Sequence, residues 1–485
     1  MEWPVNDVVA YSTIDNCEYG VHPYNPDISY PELSKDRLSY AVELDSTNAV
    51  YSAVRNVLMQ LEYDPDHYGT VNWNPLKGIV VSGDNVVIKP NLVYHKHVLG
   101  ALGLKAIITH ASVIRPIIDY VLLATSGNCH ITICDAPIQS ADWQQLMDVS
   151  GLDKLVTFYK QHNVLIELLD LRYATCCKNS AGIIVKREKK AADPNGYIAV
   201  DLKTNSQLYA IADDAQKMEI TDYGKGTVAK HHNRYTNEYL ISGTVLNADV
   251  FINVPKLKTH KRAGVTLALK NIVGIVGDKS WIAHHRRGVD EYPKFIFSNW
   301  LLFYTNYYLK LYTPNWFCTL VYSFYRKCTK RKIVTGSNYA AKAPSCMAGS
   351  WQGNDTLWRT ILDLNNILFY ADKRGVMRET AQRRYIAVVD GIVGMDGEGP
   401  MDGNPLNCGL VIAGNNPAFV DIVTTHMMGF AADKFKLYAQ IAKEHLWNVA
   451  TLHANEISWV RYNQWRDINL SFKPSAGWKT MIRQH

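Results

Sequence analysis

At 485 residues, 47% hydrophobic and 20% charged, the chain has an ordinary globular composition and the length for a sizeable core built from more than one α/β unit. Its formal charge of +6 conceals a local excess, because residues 256–332 hold fifteen Lys and Arg against three acidic residues and the remainder is net acidic. Such a patch calls for an anionic partner (phosphate, carboxylate or lipid headgroup), and nucleic acid is excluded as the favoured one because no helix-turn-helix, zinc-finger or RNA-binding signature accompanies the charge.

In chain order, MEWPVNDVVAYSTIDN shows no basic region followed by an apolar run, so no export signal is expected. NVVIKPNL (85–92) reads as a strand ending at a Lys-Pro-Asn turn, and SVIRPIIDYVLLATSG (112–127) as a helix stopped at Gly127, with Pro116 obscuring its start. HITICDAP (130–137) and VLIELLDL (164–171) are further buried strands. ADVFINVP (248–255) is a strand that delivers the segment KLKTHKRAGVTLALKNIVGIVGDK (256–279), whose cations arrive in the same turns as apolar residues and in which only Asp278 is acidic. TLWRTILDLNNILFYAD (356–372) has helical periodicity, YIAVVDGIVG (385–394) and GLVIAG (409–414) are strands, and PAFVDIVTTHMMGF (417–430) is a helix with Pro in its first turn.

Strands alternating with helices predict an α/β fold with mainly parallel sheets. The expected organisation is two α/β lobes around an interlobe site: residues 1–245, and residues 246–294 with 333–485. Residues 295–332, rich in Trp, Tyr and Phe, divided by Pro314 and ending in Arg326, Lys327, Lys330, Arg331 and Lys332, form an aromatic helical insertion. Each apolar half falls short of the ~20 residues of a spanning helix, so an interfacial hairpin on a membrane surface and a protein-packed insertion are the two readings. The nine cysteines lack metal-type spacing, as Cys129, Cys134, Cys176 and Cys177 illustrate, and fit a reducing cytosol. The expected location is therefore cytoplasmic, with peripheral attachment to the inner face of the membrane if the insertion meets lipid.

Three constellations carry chemistry. Lys256, Lys258 and His260 follow a strand directly, where open α/β sheets place ligand sites; Thr266, Lys270, His284 and His285 come after them. Lysines there suit an anion clamp, and a histidine suits proton transfer. The glycine-rich stretch DGIVGMDGEGPMDG (390–403) offers close backbone approach and the carboxylates Asp390 and Glu398, without the closing residues of a P-loop. Lys89 and Asn91 of the KPN turn, and Arg234 within KHHNRY (230–235), complete the binding set. No nucleophile elbow, HExxH or kinase set is present, which removes acyl transfer, zinc proteolysis and protein phosphorylation.

VVIKPNLV, INVPKLKTHKRAGVTLALKNIVGIVGDK, GNDTLWRTILDLN, VDGIVGMDGEGP and AFVDIVTTHMMGF, in that order from about Asn85 to about Gly429, resemble the family named domain of unknown function 362. Many of its members carry a cysteine-rich ferredoxin-type segment; this chain has none, so no iron–sulfur cluster is expected. A shorter stretch is similar to the nickel-pincer lactate racemase family, where a strand is followed by His, Gly at +4, Ser at +6 and a cofactor-anchoring Lys at +10. His260, Gly264, Thr266 and Lys270 stand at those offsets, with His284 or His285 near a further family histidine, while the family's Ser-Gly-Gly run becomes Thr-Leu-Ala-Leu. That resemblance implies a pincer nucleotide on Lys270.

The expectation is an enzyme of the isomerase or epimerase type acting on an anionic, sugar-like or lipid-linked substrate, with oligomerisation open. His260, Lys270, His284 and His285 are its catalytic candidates. Lys89, Asn91, Lys256, Lys258, Thr266, Arg234, Asp390 and Glu398 bind the substrate. The alternative is a non-catalytic anion-binding or assembly protein at the membrane surface.

Overall fold

The computed structural model describes residues 8–38, 40, 43–179, 184–223, 226–291, 317, 320, 348–441, 443, 447 and 466–483. Apart from two isolated positions, the insertion expected over 295–332 lies outside the described residues.

The β-branched runs assemble into one nine-stranded sheet: β1 (Val9–Thr13), β2 (Asn85–Pro90), β3 (His130–Asp135), β4 (Ile166–Asp170), β5 (Val250–Val254), β6 (Lys256–His260), β7 (Gly264–Thr266), β8 (Arg384–Asp396) and β9 (Asn404–Gly414). The order is β1-β9-β8-β5-β2-β3-β4, with β6 on the extension of β8 and β7 on β6. Strands β8, β5, β2, β3 and β4 are parallel, and β9 and β1 add an antiparallel edge. The fold is therefore α/β with a mainly parallel central sheet.

Parallel strands covered on both faces need apolar side chains on both, which is why these segments read as continuous hydrophobic runs instead of alternating ones. Val87 and Phe251 belong to one core, packed by α4 (Leu357–Tyr370) and α5 (Pro417–Met427). Val86, Ile88, Val250 and Ile252 belong to the other, packed by α1 (Ala49–Gln60) and α2 (Ala111–Thr125). Helix α2 begins at Ala111 despite Pro116, because the His110 side chain accepts the Ser112 N–H at 3.2 Å and caps the first turn. It ends where Ser126 turns left-handed.

Strands from both sequence stretches assigned to lobes lie side by side in this sheet: β5 pairs with β2 from Val250↔Val86 to Val254↔Pro90. From β2 the chain moves outward through β3 and β4, then returns to the other side of β2 as β5. The carboxyl ends of β2 and β5 are thus a topological switch point, where connections diverge and leave a crevice.

Candidate functional site

The cationic segment is a continuation of β5 bent by Pro255, whose missing N–H interrupts the ladder. A register shift against β8 separates Lys256 from Lys258, and the two lysines consequently meet different surroundings. Lys256 is fully buried, its Nζ lying 2.9 Å from Asp390 Oδ1 and donating to Tyr19 Oη. Asp390 also accepts the Tyr19 hydroxyl at 2.8 Å and the His110 N–H at 3.0 Å. This closed network lies away from the cavity described next.

Beyond the shift, β6 and β7 form a hairpin with Lys258 opposite Thr266 and His260 opposite Gly264. The short helix α3 (Ala268–Asn271) follows, its first N–H groups held by Asp421: Ala268 N to Oδ1 at 2.7 Å and Leu269 N to Oδ2 at 3.1 Å. Hairpin and helix together bring Lys258, His260, Thr266 and Lys270 to one cavity of about 360 Å³ at the carboxyl edge of the sheet. Lys89 and Asn91 enter it from the end of β2, Asp135 from the end of β3, and Pro400, Met401 and Asp402 from the glycine-rich loop.

Seven of the residues singled out in the sequence line this cavity: Lys89, Asn91, Lys258, His260, Thr266, Lys270 and His284. Five do not. Lys256 and Asp390 satisfy each other. Glu398 accepts the Ala476 N–H at 2.8 Å, fastening the loop to the C-terminal segment. Arg234 sits on the surface paired with Asp213 at 2.5 Å, because the KHHNRY segment packs through its histidines: His231 stacks on Trp281 and His232 bonds to the Trp281 carbonyl at 2.6 Å. His285 is buried behind the site, with Nε2 4.0 Å from Glu219 Oε2. The cavity also takes Lys178, Lys261, Arg262, Lys279 and Asn271, which had no assigned role. Four of these were legible as members of the cationic segment and Asp135 as a strand-end carboxylate, but nothing local marks Lys178, which arrives on the hairpin of strands Ala174–Lys178 and Ile184–Lys189.

Charge compensation inside the cavity is incomplete. Lys89 pairs with Asp135 at 2.8 Å, Lys178 with Asp222 at 2.9 Å and Lys261 with Asp402 at 3.8 Å. Lys258 donates only to the Ile107 carbonyl at 2.7 Å, and Lys279 to the carbonyls of Ala136 and Pro137. Among the described residues Lys270 has no hydrogen-bond or ion-pair partner. Burial, reinforced by Lys279, Lys89 and Arg262, lowers the Lys270 amine to about 7. Burial likewise lowers Lys279 to about 8, and burial with the charges of Lys270 and Lys256 takes Lys258 well below its ordinary value.

The histidines are held neutral. Burial and the nearby cations Lys270 and Arg262 push His260 and His284 well below the usual imidazole range. His260 Nδ1 accepts the backbone N–H groups of Arg262 and Ala263, both at 3.1 Å, so the ring proton resides on Nε2. Protonating Nδ1 would sacrifice both bonds. His260 is thereby a fixed hydrogen-bond donor, a narrower role than the acid–base exchange expected of it.

Polar residues beneath the cavity fix its lining. Asn253 Nδ2 donates to Tyr385 Oη at 2.7 Å, Asn271 Nδ2 to Asn253 Oδ1 at 2.7 Å, and Asn91 Nδ2 and Lys89 Nζ both donate to Asn271 Oδ1, at 2.8 and 3.2 Å. The glycine-rich loop lies against β6, with Thr259 Oγ1 donating to the Gly397 carbonyl at 2.9 Å and Lys261 N to that of Gly399 at 3.1 Å. A Cβ on Gly399 would lie 1.8 Å from the Thr259 carbonyl oxygen, so close approach requires glycine there. At Gly274 a Cβ would lie 2.1 Å from Asp135 Oδ1 and 2.5 Å from Lys89 Nζ. Gly274→Ala is therefore expected to split that ion pair, costing about 1–3 kcal/mol through overpacking and narrowing the cavity. Chemical denaturation reads the first effect, and a loss of anion affinity reads the second.

Among the described residues no group of three or more His, Cys, Asp or Glu is placed to hold a metal ion. No described helix is long and apolar enough to cross a membrane. A family model described as a domain of unknown function (DUF362) matches residues 86–193 and 174–426. No curated protein matches the chain.

Proposed function

The chain belongs to the family of domain of unknown function 362, and from that premise we propose that its cavity binds a small carboxylate or phosphate compound and transfers a proton on it, as an isomerase or epimerase does. The observation carrying this reading is that Lys258, Lys270 and Lys279 face one cavity with no carboxylate of the described residues in ion-pair contact. Buried cations without counter-charge cost free energy that a bound anion recovers. Lys258 and Lys279 are held by carbonyls at set positions and suit an anion clamp. Lys270, poised at about 7, suits proton transfer near neutrality. His260 donates from Nε2 to a substrate oxygen.

This reading fixes a pH dependence. A bound anion favours charged amines, whereas free Lys270 and Lys279 lose their protons near 7 and 8. Once ligand ionisation is corrected for, affinity for inorganic phosphate or citrate should fall by up to about tenfold per pH unit and per proton as pH rises through 7 and 8. Binding near pH 8 should take up protons. Calorimetry in buffers of different ionisation enthalpy measures both, and a pH-independent affinity, or failure of every anion to bind, removes the proposal.

The likeness to lactate racemases implies that Lys270 would carry the pincer nucleotide, a group that supplies hydride chemistry when bound. Lys270 is an unpartnered amine beside Thr266, whose Oγ1 is buried without a partner, and this setting is compatible with such an attachment. Intact mass and nickel content of protein from its native host test it. Attachment of the insertion to the inner face of the membrane remains part of the proposal and is read by fractionation.

A further inference from the structure

Among the cations of the cavity Lys270 differs in kind. Lys89, Lys178 and Lys261 are paired with carboxylates, and Lys258 and Lys279 are fastened to carbonyl oxygens. Among the described residues Lys270 has no such partner, although it lies in the same cavity on a helix whose start is anchored by a buried carboxylate. An amine meant only to neutralise an anion gains from being held in place as its neighbours are. An amine meant to react must keep its lone pair and its approach free.

The other groups of a condensation site stand around it. Thr266 Oγ1 is buried with no hydrogen-bond partner and lines the cavity, and His260 presents a fixed N–H. Lys258 and Lys279 are independent cations for the substrate's charge. Separate groups are therefore available for holding the anion and for attacking it.

We propose that Lys270 is a nucleophilic amine that forms an imine with a small carbonyl compound carrying a carboxylate or a phosphate. This rests on the anion-binding reading above and deepens it by naming the substrate class. The neutral amine adds to the carbonyl carbon, and the proton lost from nitrogen passes to the former carbonyl oxygen, giving a carbinolamine. Protonation of that hydroxyl expels one water and leaves the protonated imine, without oxidation or reduction. A proton on the adjacent carbon can then leave, its electron pair drawn toward the imine nitrogen, and return to that same carbon at the other face, which restores the imine. Water adds back to release the isomerised product and regenerate the amine. The lowered basicity of Lys270 agrees with this role, since the amine is substantially neutral near pH 7.

Pyridoxal 5′-phosphate, an aldehyde bearing a phosphate, is the probe. Whole protein is treated with limiting reagent near neutral pH, reduced with borohydride, digested and mapped by mass spectrometry. Lys270 should be the lysine most heavily labelled, and inorganic phosphate should suppress that label but spare those on surface lysines. Lys270→Arg, which keeps the charge, should still bind phosphate yet give no cavity adduct. If the reagent competes with phosphate but Lys270 stays unlabelled, the imine inference fails and the anion reading stands. If neither phosphate nor the reagent binds, both fail. A permanent adduct on Lys270 in the intact mass of the native protein also overturns the inference, because no amine would be free to react.

Discussion

Lys270→Met is expected to lower affinity for phosphate or citrate by about 30-fold or more, corresponding to the ~2 kcal/mol or more lost with a buried charge-assisted contact, while raising the melting temperature of the ligand-free protein. The two effects have one cause. Folding buries this amine in a cavity where other cations further disfavour its charge, so its folded value of about 7 lies below the ordinary 10.5. The folded state thus binds fewer protons than the unfolded chain between those values, and wild-type stability climbs with pH across that window. Removing the amine relieves a penalty that is fully present below pH 7 and gone near pH 10.5. The gain in melting temperature should be largest at pH 7 and below and shrink steadily at higher pH. Thermal melts across that range, with calorimetric titration at one pH, provide both readouts. A variant that binds phosphate as tightly as wild type overturns the assignment.

Lys256→Met should do the reverse. Its partner Asp390 is fully buried, and loss of the ammonium at 2.9 Å leaves a carboxylate supported by neutral donors, the Tyr19 hydroxyl and the His110 and Ile392 N–H groups. Breaking such a pair from one side costs about 3–5 kcal/mol. Anion affinity of the protein that remains folded should be unchanged, because neither residue lines the cavity. Adding Asp390→Asn should recover part of the loss, since the amide still accepts hydrogen bonds without an orphaned charge; urea melts of the two single variants and the double variant measure the coupling. If Lys256→Met melts like wild type and abolishes phosphate binding, the division between structural and site lysines is wrong.

These opposite outcomes, for two lysines that look alike in KLKTH, mark where sequence reading stops. Lys256, Lys258 and His260 follow a strand directly, and all three were assigned to the site on that ground. Pro255 and the register shift against β8 break that equivalence, and only pairing with a strand some 130 residues away reveals it. Arg234 and His285 were drawn in by company, the one beside histidines and the other beside His284, but neighbours in sequence diverge once Trp281 and Glu219 claim their side chains. Glu398 and Asp390 also lie outside the cavity lining, the first fastening the glycine-rich loop to Ala476 and the second holding Lys256.

What the sequence determined by itself was six strands of the sheet (β2, β3, β4, β5, β8 and β9), the helices α2, α4 and α5, a mainly parallel arrangement, the local concentration of cations after β5, and the family; β1 and α1 went unread. Each depends on local periodicity or on residue types within a short window, which the chain states directly. What only the tertiary structure decided was compensation. Whether a lysine is paired depends on carboxylates delivered by distant segments: Asp135 to Lys89, Asp222 to Lys178, Asp402 to Lys261, and none of the described residues to Lys270. The cost of burying a charge is set by everything around it in space, so the free amine at the centre of the site becomes visible only when the whole chain is folded about it.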